Sequence, residues 1–426
     1  MRLIASICCI LSICSFIPSV WAAGDMAPDL KNGTFWKLPK AELFGKYFNG
    51  EVGSWVDQEK TQMRIAKPNI KIGDLSLGEL LIHWENSAPQ MMTIMMYNKG
   101  DNGAIGKSEF ESRLERIKEA LSFFTGVQPK EYRTSRKEAV VKVNGWSWVW
   151  EQGAISLEIN TSREGKEFEA EFIRMKVGPT EDSIARGDVS SRASKADIKQ
   201  NVKKEGKRVV IQRIPMVDQG QKGYCVVATA ARIFAYYGMD YVDQHELASL
   251  ANTSANGGTS PEVMAENLKK IGTRFQIRVK VLDSMTDTRD FKNLLKAYNR
   301  AASKLKKPKI ENEYDWNGFW NNANGEVLKL ARAGSPSQVN KWLNAIKPYI
   351  SAGVPVLWSV QLGLVPEPMR ISQTRGGHLR LIIGFDEEKK TIIFSDSWGA
   401  AHTEKEMPIE DAVAITTGRR IMQPSR

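Results

Sequence analysis

Three residue types with the chemistry of nucleophilic catalysis recur in an ordered pattern in the second half of the chain. Cys225 opens an apolar segment, residues 226–237, that ends at Gly238. Alanines 228, 230, 231 and 235 suit packing on all sides, so the segment reads as a buried helix with Cys225 in its first turn. Unpaired N–H groups and the positive end of the helix dipole stabilise an anion there, and a thiol so placed can ionise well below its unperturbed pKa of about 8.5. Gly220 and Gly223 allow a tight loop ahead of it. A thiolate nucleophile needs a base, and the base an orienting group.

Only four histidines are present: His83, His245, His378 and His402. His83 falls in a strand-like run and reads as structural. His245 lies in a polar helix start, Asp243-Gln244-His245-Glu246, and reads as exposed. His402 follows Gly399-Ala400-Ala401 in a loop, where lining a cleft is the alternative to a plain surface role. His378 follows Gly376 and Gly377 and begins an apolar strand, residues 379–385. A polar turn at 386–390 leads to a second strand, 391–394, which delivers Asp396. Antiparallel pairing of these strands places Asp396 beside His378. Its carboxylate can then accept the ring N–H, fix the tautomer and favour an imidazolium paired with the Cys225 thiolate.

These elements sit in a chain of 426 residues, enough for two or three domains. Hydrophobic residues make up 42% and charged residues 26%, which excludes a disordered or collagen-like chain. Residues 1–22 read as a secretory signal: Arg2, an apolar run over 3–17, and Val20-Trp21-Ala22 before the cut. The apolar run is short for a membrane span, and no later segment is longer, so stable membrane insertion is not expected. A lipid anchor at Cys14 is the alternative, disfavoured by bulky Ile13 before it. Cleavage removes Cys8, Cys9 and Cys14 and leaves Cys225 as the sole thiol of a secreted or periplasmic protein. A lone thiol in a secreted chain forms an intermolecular bridge, stays free and reactive, or is a small buried hydrophobe; the context of Cys225 favours a reactive thiol.

Residues 23–178 read as an N-terminal α+β domain. A helix is expected from a capping box at Ser108 and Glu111, with Phe110, Leu114, Ile117, Leu121 and Phe124 on one face and Gly126 ending it. Strands are expected at 80–84, 91–97, 140–150, 155–159 and 168–177. Trp146, Trp148 and Trp150 share one face of a strand, either filling a core or forming a ligand-binding ladder. Residues 179–208 are polar and basic and read as a linker, with a short helix near 195–202 and processing within the linker as an alternative to plain solvation. Residues 209–426 form the second unit, helical first and strand-rich later. Within it, Asn256-Gly257-Gly258-Thr259 precedes a helix capped by Thr259 and Glu262, and 292–309 reads as an amphipathic surface helix.

On these motifs the second unit resembles the papain-like cysteine peptidases, in the branch of the bacteriocin leader-processing peptidases. Four matches in chain order carry the likeness: Gln219 six residues before Cys225, Gly223-Tyr224-Cys225 at a helix start, Gly377-His378 before an apolar strand, and Asp396-Ser397-Trp398-Gly399. The resemblance implies an α+β fold, a helical half plus an antiparallel-sheet half, for 209–426. It implies a Cys225, His378 and Asp396 triad hydrolysing peptide bonds of a peptide or protein substrate. Gln219 then supplies the oxyanion hole, with Gln221 as the rival; one such donor is worth roughly 3 kcal/mol of barrier. No cofactor or metal is implied. Residues 24–178 match no papain-type helical propeptide, and the chain shows no transporter segment of the kind that accompanies bacteriocin-processing peptidases; restraint of the enzyme by 24–178 until the basic linker is cut is a separate hypothesis. The competing readings are a non-proteolytic amidase or acyltransferase with the same triad, and a degenerate peptidase fold used for binding. The net charge of +11 bears on association rather than fold, and no motif supports nucleic-acid binding.

Overall fold

The computed structural model describes residues 24–48, 53–134, 139–164, 167–185, 193–220, 223–239, 242–253, 258–285, 288–311, 316–371 and 373–425. Residues 1–22, with Cys8, Cys9 and Cys14, and also Gln221, Asn256 and Gly257, lie outside them. The described residues form two eight-stranded antiparallel sheets, one on each side of residue 200, and a small three-stranded sheet near the start.

In the first large sheet the order is Gly53–Trp55, Gln62–Ile65, Glu79–Glu85, Ala88–Asn98, Glu167–Gly178, Gly153–Glu164, Asn144–Trp150 and Lys130–Arg133. The strands alternate, as in Glu79–Glu85, where Leu80, Ile82 and Trp84 turn inward. Against this sheet packs the helix Lys107–Thr125, whose buried face is Phe110, Leu114, Ile117 and Leu121, and Gly126 closes it at φ +74°. Its N-cap is Gly106, not Ser108. The backbone is already helical at Lys107, so Ser108 stands inside the first turn and caps nothing. Trp148 is buried in the same core, with its indole N–H on Ser122 Oγ (3.0 Å), and Trp146 and Trp150 pack against it. The three tryptophans thus belong to the core rather than to an exposed ladder.

The second sheet runs Val202–Glu205, Arg208–Ile211, Gly376–Asp386, Val356–Leu362, Thr416–Pro424 and Ile277–Ser284. Thr391–Ser395 pairs with Gly376–Asp386, and Lys405–Pro408 pairs in turn with Thr391–Ser395. Helices dominate residues 225–351, and strands dominate the remainder. The helix Thr288–Lys304 buries Phe291, Leu294, Leu295 and Tyr298 and leaves its lysines outside, as its spacing predicts.

The stretch 179–208 carries more structure than its composition suggests. Ser194 caps a helix, Lys195–Gln200, whose only buried residue is Ile198. Val202–Glu205 then forms a hairpin with Arg208–Ile211, so a boundary at 208 cuts through a paired strand. A single apolar anchor per turn is too sparse to register as periodicity. Among the described residues no helix is long and apolar enough to cross a membrane.

Candidate active site

The helix Cys225–Tyr236 begins at Cys225, with Tyr224 as its N-cap residue. Its residues are buried nearly all round, as the alanine pattern requires, and it packs on the His378 strand; Thr229 Oγ1 donates to Leu379 O (3.4 Å). Cys225 is a free, partly buried thiol at the wall of a cleft of about 680 Å³. That cleft is also lined by His378, Thr259, Pro261, Glu262 and Trp316, among others. Here Ser260 caps the helix Pro261–Phe275, through Val263 N (3.3 Å). Thr259 instead exchanges a hydroxyl bond with Thr253 (2.7 Å).

His378 lies in the strand Gly376–Asp386, opposite Val360 on one neighbour, while Thr391–Ser395 pairs on the other side and ends one residue before Asp396. The expected approach is present: His378 Nε2 and Asp396 Oδ1 are 2.9 Å apart, with both side chains fully buried. This commits Nε2 to the carboxylate. Nδ1 has no conventional hydrogen-bond partner, and the ring's other polar interaction is with the Cys225 thiol. Trp398 stacks flat on the imidazole, centroids 4.2 Å apart and planes 7° apart, which fixes the ring plane and keeps water from one face.

The electrostatics follow from these contacts. Burial pushes the Cys225 thiol up, but His378 and the N–H groups of Leu379 and Val226 outweigh it and bring the thiol below its ordinary value. Burial likewise disfavours a charged His378, yet Asp396 and Cys225 raise its pKa above that of an ordinary imidazole. Asp396 would be neutralised by burial alone; Arg380, His378 and Lys405 hold it well below the usual carboxylate range. The two shifts on Cys225 and His378 favour the same state, a thiolate–imidazolium pair.

Gln219 is buried (7% exposed) and is not among the cleft-lining residues. Its backbone N–H donates to Ser397 O (2.9 Å), and its Oε1 accepts from Ser397 Oγ (2.7 Å). The glutamine loop and the Asp396-Ser397-Trp398-Gly399 segment are thereby tied together.

Of the other histidines, two lie away from this centre and His402 borders it. His83 sits in the first sheet, where burial lowers its pKa to about 4. His245 is buried, contrary to its polar neighbourhood in sequence: it packs edge-on against the Tyr224 ring (5.5 Å). The polar residues beside it face a partner, Arg174, that lies far back in the chain. His402 ends a short 3₁₀ turn next to the site, with its Nδ1 3.3 Å from Lys405 Nζ and its ring against Trp398. Among the described residues no three His, Cys, Asp or Glu side chains converge as a metal site.

Three cations at the site have no counterpart in the sequence reading. Arg380 Nε donates to Asp396 Oδ1 (3.0 Å) and Nη2 to Glu367 (2.8 Å), while Lys405 Nζ pairs with Asp396 Oδ2. Arg232, the one charged residue of the Cys225 helix, is fully buried; burial lowers its pKa to about 10. It donates to Pro215 O (2.8 Å), Asp396 O (3.0 Å) and Ser395 Oγ (2.7 Å), binding the Cys225 helix to the strand end that carries Asp396. A lone arginine in an otherwise apolar helix is the signal that could have found it.

Residues 211–417 match the family described as Peptidase_C39 like. The segment that holds Cys225, His378 and Asp396 is thus similar to cysteine peptidases, in keeping with the papain-like resemblance, and the family points to a peptide or protein substrate. No curated protein matches the chain.

Proposed function

We propose that the protein is an exported cysteine peptidase in which Cys225 is the nucleophile, His378 its acid–base partner and Asp396 the orienting carboxylate. The observation that carries this reading is the buried His378 Nε2 to Asp396 Oδ1 bond beside a thiol at a helix N-terminus. With Nε2 committed, Nδ1 is the nitrogen that exchanges a proton with the thiol. The Cys225 thiolate attacks the scissile carbonyl carbon, and the carbonyl oxygen becomes an oxyanion. The Cys225 backbone N–H and the Gln219 side-chain amide stabilise it. Ser397 holds Gln219 Oε1, so Nε2 is the end that donates. The His378 imidazolium then protonates the leaving amine nitrogen, and a thioester forms as the C–N bond breaks. In the second half, neutral His378 takes a proton from water, hydroxide displaces the thiolate, and the peptide acid leaves. The export reading rests on residues 1–22, whose composition is that of a signal peptide with a cut after Ala22.

The test is to treat the mature protein with an epoxide-type thiol inhibitor while profiling hydrolysis of a diverse peptide library. One label on Cys225 is expected, and Cys225→Ala loses both labelling and hydrolysis. Hydrolysis that survives in Cys225→Ala overturns the mechanism. N-terminal sequencing of the exported chain tests the cut, and a lipid retained on Cys14 would refute it.

A further inference from the structure

The start of the Cys225 helix is gripped by residues more than a hundred positions earlier. Tyr224, buried beside the thiol, donates its hydroxyl to Asn98 Oδ1 (3.1 Å). That amide cannot rotate freely. Its Oδ1 also accepts from Asp101 N (2.7 Å), and its Nδ2 donates to Asp101 Oδ2 (2.7 Å). Gly100 lies flat against the phenol: a Cβ there would come within 2.3 Å of the Tyr224 hydroxyl oxygen and 2.6 Å of Cζ. A second grip falls on the glutamine loop. Gly220, next to Gln219, has φ +75°, and a Cβ on it would meet Arg64 Nη2 at 2.5 Å. Glu79 holds Arg64 in place (2.5 Å). A third falls on the helix Gln244–Leu250, which packs on the Cys225 helix. Buried Arg174 pairs with Asp243 (2.8 Å) and Glu246 (3.0 Å) there and with Glu158 (2.5 Å) in its own sheet.

None of these contacts enters the cleft, and among the described residues none from 24–178 lines it. An inhibitory segment would lie across the cleft. This one bears on the nucleophile's N-cap and on the loop beside Gln219.

We propose that the N-terminal sheet is a built-in positioning element of the peptidase site, with Asn98, Gly100 and Arg64 as the positioning residues that fix Tyr224 and Gly220. The inference rests on reading Cys225 as the nucleophile. Tyr224 immediately precedes Cys225, so a displaced phenol shifts both the thiol and its backbone N–H. A misplacement of about 1 Å can cost on the order of a hundredfold in rate. The buried hydroxyl also needs its acceptor, since an unpaired one in the interior is unfavourable. The half of the chain before residue 179 therefore sustains activity rather than restraining it.

Full-length mature protein carrying Gly100→Ala, Asn98→Leu or Tyr224→Phe tests this. Two readouts are used: steady-state hydrolysis, and the pH dependence of Cys225 alkylation by iodoacetamide, which needs no substrate. Gly100→Ala is expected to lower kcat at least tenfold with KM within twofold, and to move the alkylation midpoint up by half a pH unit or more. Tyr224→Phe, which deletes one atom and cannot unfold the chain by a clash, is expected to move both readouts the same way by less. Combined with Gly100→Ala it restores part of the lost rate, because the closest contact of the added methyl is gone. Unchanged kcat and alkylation midpoint in folded Gly100→Ala and in Tyr224→Phe overturn the inference. A shifted midpoint in variants of a wild type that cleaves no peptide upholds the positioning role and overturns the peptidase reading instead.

Discussion

Replacing Asp396 by asparagine removes one charge from a site built around it. The carboxylate accepts His378 Nε2 at 2.9 Å and Arg380 Nε at 3.0 Å and pairs with Lys405 on its other oxygen, with no solvent exposure. Unit charges about 4 Å apart at an effective dielectric near 20 interact by about 4 kcal/mol. Arg380 and Lys405 share the same carboxylate and offset much of its charge, so its net effect on His378 is smaller, about 1–3 pKa units or roughly 1.4–4 kcal/mol. Asp396→Asn therefore lowers the His378 pKa by that amount and removes its support for the Cys225 thiolate. The low-pH limb of the alkylation profile shrinks about tenfold to a thousandfold, and its midpoint moves toward the ordinary thiol value. Buried Lys405 also loses its paired carboxylate and Arg380 keeps only Glu367, and breaking such a cluster costs about 3–5 kcal/mol of stability. The assay is iodoacetamide alkylation across pH 4–10 (about the range set by the two groups' ordinary pKa values), with thermal melts of the same samples. A folded Asp396→Asn protein that keeps both the wild-type profile and the wild-type melting temperature refutes the account of Asp396 as anchor of the ion pair.

The shifts also set the pH dependence of wild-type hydrolysis. The thiol is lowered and the imidazole raised, so kcat/KM rises on an acid limb below the ordinary thiol pKa and falls on a basic limb above the ordinary imidazole pKa. A profile that keeps rising with pH through the thiol's ordinary value would contradict the preformed pair. In the N-terminal sheet, Arg174→Met leaves buried Glu158 and Glu246 and half-buried Asp243 without their common cation. A loss of about 3–5 kcal/mol is expected, read as a lower midpoint in urea denaturation, and a change below about 1 kcal/mol would show that these carboxylates find other partners.

Much of the site is legible in the chain because it is local. His378 and Asp396 are joined by strand, turn and strand, and antiparallel pairing leaves little freedom in where the second strand's end must fall. The Cys225 helix is equally local: small residues on every side require burial, and Gly238 ends the run. The helix Lys107–Thr125 shows both its apolar face and its glycine stop, and only its cap is misread, because the Ser108–Glu111 spacing resembles a capping box two residues too late.

What escapes sequence reading is every charge whose partner is distant. Arg380 stands between Leu379 and Leu381 as a solvent-facing residue would in an amphipathic strand. Yet Gly376–Asp386 is covered on both faces, so alternation reports nothing about burial there. Lys405 looks like any surface lysine until Thr391–Ser395 brings Asp396 beside it. His245 reads as exposed because Asp243 and Glu246 flank it, but both acids pair with an arginine some seventy residues earlier, and Glu246 is fully buried there. The same limit hides the link between the two halves. A tyrosine before a cysteine, an asparagine at a strand end and a glycine after a lysine are individually unremarkable. Only their meeting at the Tyr224 hydroxyl gives them a shared role. Burying a polar group is tolerated only where a partner awaits it, so the buried polar contacts across this interface mark where the two sheets have been fitted to one another. That they converge on the N-cap of the Cys225 helix and on the adjoining glutamine loop ties the N-terminal sheet to the geometry around Cys225.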